Sequence, residues 1–507
     1  MKKFLILVLA LMMLALPLLT ACSNSQNGNT SDAVSQSGGT SEGGDTSEDP
    51  LASFPLEEKN FGGKTIKILT RNAMHLQQFV PMEEKEGTAI NEAVKARNEL
   101  IEERYGIIIE AYFTENNRPA TDIGLSIQTG NSDYQIVCDS VYFTMQHFTD
   151  NWFYSLNDLL DLNQPWWDQN ACNQLTLSDK KFFVAGSAIF QDDAYTAGVL
   201  FNKNVYADRY ESTYGSLYKM VEDGTWTIDV MYQLAKDFAM PDENGEWMTD
   251  GAYYGVVTDG YSGATMLTNG SGAVSAYKDE QNKIVLSGGS EQSVKAFEKV
   301  FNLLSDRTVS VFAEQFTPTT WGYGSNLFIG NHALFSVGYL SGLIGIMTNE
   351  NPDKVVPGVL PPPKYDEAQE NYHCGINVYQ SDVLSIPVCV IDEEELEATA
   401  YAMELLGYYS MIESPFGENS VTYAWYDNSM KLQSVVDDND SKMLDLITSS
   451  RIYDLGGAFD WNGKMIGLYS SNLYADANTL SSSWEANLPG VEAAMQATID
   501  AFNNSIN

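Results

Sequence analysis

Histidine, cysteine and positive charge are scarce in this 507-residue chain. It has 4 His and 5 Cys, and 28 Lys+Arg against 68 Asp+Glu, for a formal net charge of −40. His75, His147, His332 and His373 are dispersed, which argues against a zinc cluster. So few basic residues exclude the Lys/Arg patches that nucleic acid and bare anionic membrane require. The acidity reads as solubility of an exposed protein. There is no CxxC, and Cys138, Cys172, Cys374 and Cys389 are too few for a disulfide framework in so large a body. A Cys374–Cys389 bridge across a hairpin is not indicated. Also missing are GxxxxGKS/T, GxGxxG after a strand, GxSxG and HExxH. Adjacent carboxylates such as Asp437-Asp438 occur throughout so acidic a chain and carry no glycosidase signal. Residues 241–246 (PDENGE) lack the alternating ligands and distal glutamate of a calcium loop and read as a hairpin turn. No catalytic residue, metal or cofactor is expected.

What is present starts at the N-terminus. Lys2 and Lys3 precede an apolar run over 4–19, broken only by Pro17, and small residues follow. That layout is a secretory signal, too short for a comfortable membrane span. Residues 19–22 (LTAC) match the bacterial lipobox, in which the cysteine thiol takes a diacylglyceryl group and becomes the new N-terminus. Cys22 is therefore the expected lipidation site, and two acyl chains give stable anchoring. Residues 23–53 are Ser, Gly, Asn, Thr and acidic residues with almost nothing to bury, a flexible tether. The expected location is the extracytoplasmic face of the cell membrane, with the membrane reached only through the lipid.

Roughly 450 residues remain, too many for one core and enough for two or three lobes. Residues 64–70, 107–113 and 135–139 read as short apolar strands. Between them, Thr88 can cap a helix that ends at Gly106, with Ile90, Ala93, Val94, Leu100, Ile101 and Tyr105 inward. A helical stretch near 121–129 follows. This alternation predicts a parallel α/β sheet. Further strands are expected over 197–201, 333–337 and 358–360. Helices are expected at 294–304 and 392–412, and a terminal amphipathic one carries Val491, Thr498 and Phe502.

Aromatic residues are plentiful, with 9 Trp and 28 Tyr. Rings stack on the apolar C–H faces of sugars while carboxylates and amides bond the hydroxyls. Several segments then carry a resemblance in order along the body. They are 87–107 (GTAINEAVKARNELIEERYGI), 134–139 (YQIVCD), Pro165-Trp166-Trp167 with 180–186 (KKFFVAG), 198–206 (GVLFNKNVY), 225–229 (TWTID), 330–338 (GNHALFSVG) and 360–372 (LPPPKYDEAQENY). Together they resemble the extracellular solute-binding protein family 1. This is the carbohydrate-binding group of ABC importer receptors that includes the maltose-binding protein.

The resemblance implies an α/β, two-lobed periplasmic-binding-protein-like fold with discontinuous lobes joined by three hinge crossings. On that basis 1–21 is the signal peptide, 22–58 the acylated tether, 59–200 with 358–385 lobe 1, and 201–357 with 386–507 lobe 2. Crossings are expected near 200–202, 356–358 and 384–387. Ligand is expected in the cleft at the strand C-terminal ends, with lobe closure as a hinge motion. Strand ends nominate Arg71, Asn72, Asp139 and Tyr142. The resemblance nominates Tyr339 and Trp461 as sugar platforms, and Tyr261 sits in a Gly-rich loop between Asp259 and Gly263. Asp192 or Asp193, just before a hinge strand, is a further hydroxyl acceptor. Trp166, Trp167 and Trp226 are assigned to packing. The expected partners are a carbohydrate ligand, an oligosaccharide, and the permease subunits of an ABC importer, with the receptor a monomer. A secreted carbohydrate-active hydrolase and a surface adhesion lipoprotein stand as alternatives.

Overall fold

The computed structural model describes residues 54–504 apart from 317–322, 348, 351–352, 413–419 and 427–436. Cys22 and the 23–53 tether lie outside the described residues. Along the chain the strands are β1 (Lys64–Thr70), β2 (Ile107–Phe113), β3 (Ile136–Ser140), β4 (Ala197–Asn202), β5 (Tyr254–Thr258), β6 (Ala276–Lys278) and β7 (Ile284–Leu286). They continue with β8 (Ser310–Phe312), β9 (Ala333–Tyr339), β10 (Pro357–Leu360), β11 (Cys374–Gly375), β12 (Asp382–Ser385) and β13 (Arg451–Ile452). Two sheets dominate. The first has the order β12-β3-β1-β2 and the second β10-β4-β9-β5-β8. β1 pairs in parallel with β2 from Lys64↔Ile107 to Thr70↔Phe113, and with β3 on its other side. β12 closes that sheet antiparallel to β3. In the second sheet β5 is parallel to β9 and β8, whereas β4 runs antiparallel to β9 and β10.

Every residue of β3, β4 and β5 is buried. Helices cover both faces of such strands, which is why they read as unbroken apolar runs instead of alternating ones. The helix Ala89–Tyr105 buries Ile90, Ala93, Val94, Ile101 and Tyr105, and Gly106 ends it at φ 61. Only a residue without a Cβ takes that left-handed conformation at little cost. Thr88 does not cap this helix. No side-chain cap bond forms, and its hydroxyl donates to the Lys85 carbonyl instead. Arg97, a basic residue on the buried face, is anchored by the Gln78 and Phe79 carbonyls and the Ser410 hydroxyl. Asp242 gathers the N–H groups of Asn244 and Glu246 and the Thr249 hydroxyl, which makes 241–246 a turn.

Strand pairing draws the lobes differently from the sequence expectation. Residues 200–202 lie inside β4 and 357–358 inside β10, both in the second sheet, while 384–385 lie inside β12 of the first. The changes between the two main sheets therefore fall elsewhere: between β3 and β4 and between β10 and β12. The helix Glu393–Met411 packs against the Ala89–Tyr105 helix and β1, on the first sheet and not with the second lobe. Its apolar face fits either lobe, and only contact decides which. Trp166, Trp167 and Trp226 are almost fully buried. The indole of Trp166 donates to Glu404 at 2.8 Å, and that of Trp226 to the Pro361 carbonyl at 2.9 Å. Among the described residues, Cys138, Cys172, Cys374 and Cys389 are buried and unpaired.

Candidate functional site: a tyrosine-lined cleft

The C-terminal ends of β5 and β9 face a cavity of about 680 Å³. Tyr339 is the last residue of β9, and Tyr261 lies in the first turn of the helix Gly260–Gly270 that follows β5. Asp259 caps that helix by accepting from Ser262 N at 2.7 Å. Gly263 lets it press onto β5, because a Cβ there would sit 2.6 Å from Thr258 Cγ2. Tyr195, just before β4, adds a third ring, 6.1 Å from that of Tyr339.

The opposite wall is the segment that carries the chain from β11 to β12. Asn377, Tyr379 and Gln380 line the cavity from it. This segment is tied to both sheets. Asn377 N donates to the Tyr195 carbonyl at 2.9 Å, and the carbonyls of Val378 and Ser381 accept from Tyr142 N and Val141 N, next to the end of β3. The Tyr379 ring lies 6.2 Å from Tyr261 and 4.7 Å from Tyr142.

Arg71 and Asp139 stand behind this wall. Arg71 Nη1 donates to Gln380 Oε1 at 3.1 Å, and its Nε lies 3.6 Å from Asp139 Oδ1. The second distance is an ion pair, too long for a hydrogen bond. Asp139 has no solvent exposure and accepts from Ala120 N at 3.0 Å and Ser140 N at 2.6 Å. Burial pushes its carboxyl up to about 7, against the opposing pull of those N–H groups and of Arg71. Burial also raises the phenols of Tyr195, Tyr261, Tyr339 and Tyr379, so all four are neutral donors at pH 7. Tyr261 and Tyr339 sit deep in the cleft yet keep surface that solvent reaches.

The sequence candidates thus divide. Tyr261 and Tyr339 line the cavity. Arg71, Asp139 and Tyr142 position its far wall and do not themselves line it. Asn72 caps the short helix Ala73–Leu76, accepting from Met74 N at 3.0 Å. Trp461 is packing: it is 3% exposed, donates to Thr498 Oγ1 at 3.0 Å and stacks parallel to Phe459 at 5.3 Å. A tryptophan in a glycine-bearing loop can face a cleft or a core, and here the terminal helix covers it. Asp192 and Asp193 pair with Arg451, away from this cavity. Tyr195, Asn377, Tyr379 and Gln380 escaped sequence reading. The available signal was a polar, tyrosine-bearing link directly before the β12 strand.

A larger hollow of about 1110 Å³ opens beside the β6–β7 hairpin. Its walls mix charged residues such as Lys278, Asp279, Glu291 and Lys295 with apolar ones such as Val274, Val285 and Leu286, and no strand of the two main sheets lines it. The tyrosine cavity is the better candidate, because the strand ends of α/β sheets are where ligands bind.

No family model and no curated protein matches the sequence. Solved structures do match in fold. A cyclo/maltodextrin-binding protein complexed with maltotetraose superposes with a TM-score of 0.53 at 13% identity, over 87% of this chain and 97% of that one. An ABC substrate-binding protein from Listeria monocytogenes in complex with cycloalternan gives 0.53 at 10% identity, over 85% and 98%. UgpB from Mycobacterium tuberculosis in complex with glycerophosphocholine gives 0.52 at 11% identity, over 86% and 100%. The fold is that of the two-lobed solute-binding proteins of ABC transporters.

Proposed function

We propose that this chain is an extracytoplasmic carbohydrate receptor. In this reading it is held to the membrane by acylated Cys22, binds a neutral saccharide in the tyrosine cleft and delivers it to an ABC permease. The observation that carries the reading is the cavity wall itself. Tyr195, Tyr261, Tyr339 and Tyr379 converge there from both sides of the cleft. They offer flat apolar faces for C–H surfaces and neutral phenol donors for hydroxyls. Asn377 and Gln380 supply amide donors and acceptors. Among the lining residues the only ionisable carboxylate is Asp259, already engaged as a helix cap. That wall suits an uncharged polyhydroxylated ligand, and it holds no pair of facing carboxylates for glycoside hydrolysis.

The test is a thermal-shift screen of the chain from residue 22 onward against a glycan library, followed by calorimetry. A ligand of the native state should add about 2.7 kcal/mol at a hundredfold excess over its Kd. Tyr339→Ala or Tyr379→Ala should then weaken binding about tenfold, the value of one lost stacking contact. Absence of any stabilising glycan, or turnover of chromogenic glycosides, would overturn the reading.

A further inference from the structure

Away from the tyrosine cleft, a separate cavity of about 360 Å³ has an aromatic wall and an acidic floor. Trp167, Phe190, Trp425 and Tyr426 form the wall, and the Phe190 and Trp425 rings stack at 4.5 Å with 21° between planes. Asp168, Asp192, Asp193 and Arg451 form the floor. Arg451 Nη1 reaches Asp168 Oδ2 at 2.9 Å and Asp192 Oδ2 at 2.8 Å, while Nη2 pairs with Asp193. Tyr453 also donates to Asp168 Oδ2, at 2.9 Å. One guanidinium thus faces three carboxylates, and no lysine lines the cavity. Burial raises the Asp192 and Asp193 carboxyls, and a buried excess of negative charge is costly unless a proton or a cation compensates it.

Five buried polar atoms of the lining have no partner: Asp192 Oδ1, Thr422 Oγ1 and the N–H donors Trp167 Nε1, Trp425 Nε1 and Arg451 Nε. Asp192 is 2% exposed, and its Oδ1 has no hydrogen-bond partner. Trp425 is 9% exposed, and its Nε1 donor is likewise unpaired. Buried polar groups are nearly always satisfied, so an unpaired carboxylate oxygen and several unpaired donors on one cavity describe a partner that both donates and accepts. The acceptor, backed by excess negative charge, calls for a cationic group. The donors, Trp425 Nε1 among them, call for a hydroxyl or similar oxygen. A metal ion fits poorly, because the wall offers rings in place of oxygen ligands. Rings do attract organic cations, through the negative face of the π-system.

We propose that this cavity is a second binding site, for a small hydroxylated organic ammonium ion. The ammonium lies against the indole and phenyl faces and the Asp192 carboxylate, and the ligand oxygen accepts from Trp425 Nε1. The site does not depend on the carbohydrate reading of the cleft.

Calorimetry with the chain from residue 22 onward would use choline, ethanolamine and 3,3-dimethylbutanol, the uncharged isostere of choline. Choline or ethanolamine should bind at a single site, and the neutral isostere at least tenfold more weakly. Trp425→Leu should abolish the binding. Asp445→Asn, at the exposed mouth of the cavity, should weaken it severalfold in a protein that folds normally. Tyr339→Ala, in the cleft, should leave it unchanged. No binding of either ammonium probe at millimolar concentration would overturn the proposal. So would equal binding of the neutral isostere, or loss of choline binding in Tyr339→Ala.

Discussion

Replacing Arg71 by Met separates a positioning role from a ligand contact. The methionine keeps the packing of the arginine stem and deletes its charge. In the native protein the carboxyl of Asp139 is pushed up to about 7 by burial, against the pull of Arg71 at 3.6 Å. Its ordinary value in an unfolded chain is about 3.9. The folded state therefore binds this proton more tightly than the unfolded state. Asp139 contributes stability that is fully present below about pH 4 and is lost as pH rises toward about 7. Removing an opposite charge at this distance raises a carboxyl by about 1–3 units further, and each unit is worth about 1.4 kcal/mol. The charge-dependent penalty of Arg71→Met should then be close to nil near pH 5, where folded Asp139 already carries its proton. It should grow to roughly 1.3–2.7 kcal/mol by about pH 9. Loss of the bond to Gln380 adds about 1 kcal/mol at every pH. Urea unfolding at the two pH values measures both parts. Arg71→Met with Asp139→Asn should recover the pH-dependent part only. A penalty equal at both pH values, or larger at the acidic one, would refute this account of Asp139.

Three further outcomes follow from the same geometry. Trp461→Ala should cost about 3–5 kcal/mol in unfolding experiments and leave the affinity of the folded protein unchanged, because the indole is buried against Phe459 and Thr498. Gly186→Ala should abolish soluble expression or cooperative melting. Gly186 has φ +146, and a Cβ would lie 2.1 Å from the Trp166 carbonyl oxygen, which is backbone and cannot step aside. Cys22→Ala should move the protein out of the membrane fraction or leave the signal uncleaved, read by fractionation and gel mobility; wild-type behaviour would count against acylation at Cys22.

The local pattern of the chain was enough for several of the elements, though not for β5, β8 or β12. β1 and β2 run over 64–70 and 107–113 as expected, and the Ala89–Tyr105 helix stops at Gly106, because unbroken apolar runs and a left-handed stop are properties of neighbouring residues. The order of strands and helices likewise pointed to α/β sheets. The position of Tyr339 at a strand end was legible for the same reason, since strand ends and cleft edges coincide in such sheets. Tertiary structure decided the rest. Whether the Glu393–Met411 helix covers the first sheet or the second depends on contacts hundreds of residues apart. Trp461 and Tyr339 look alike in sequence, both aromatic with a glycine within two residues. One is sealed by the terminal helix and the other faces a cavity, a difference set only by what packs on top. Arg71 and Asp139 were legible as polar residues at strand ends, but not that they face each other. Tyr379 and Gln380 became part of the cleft because the link from β11 to β12 is pinned to β3 on one side and to Tyr195 on the other. Those bonds join segments far apart along the chain, and short-range periodicity carries no trace of them.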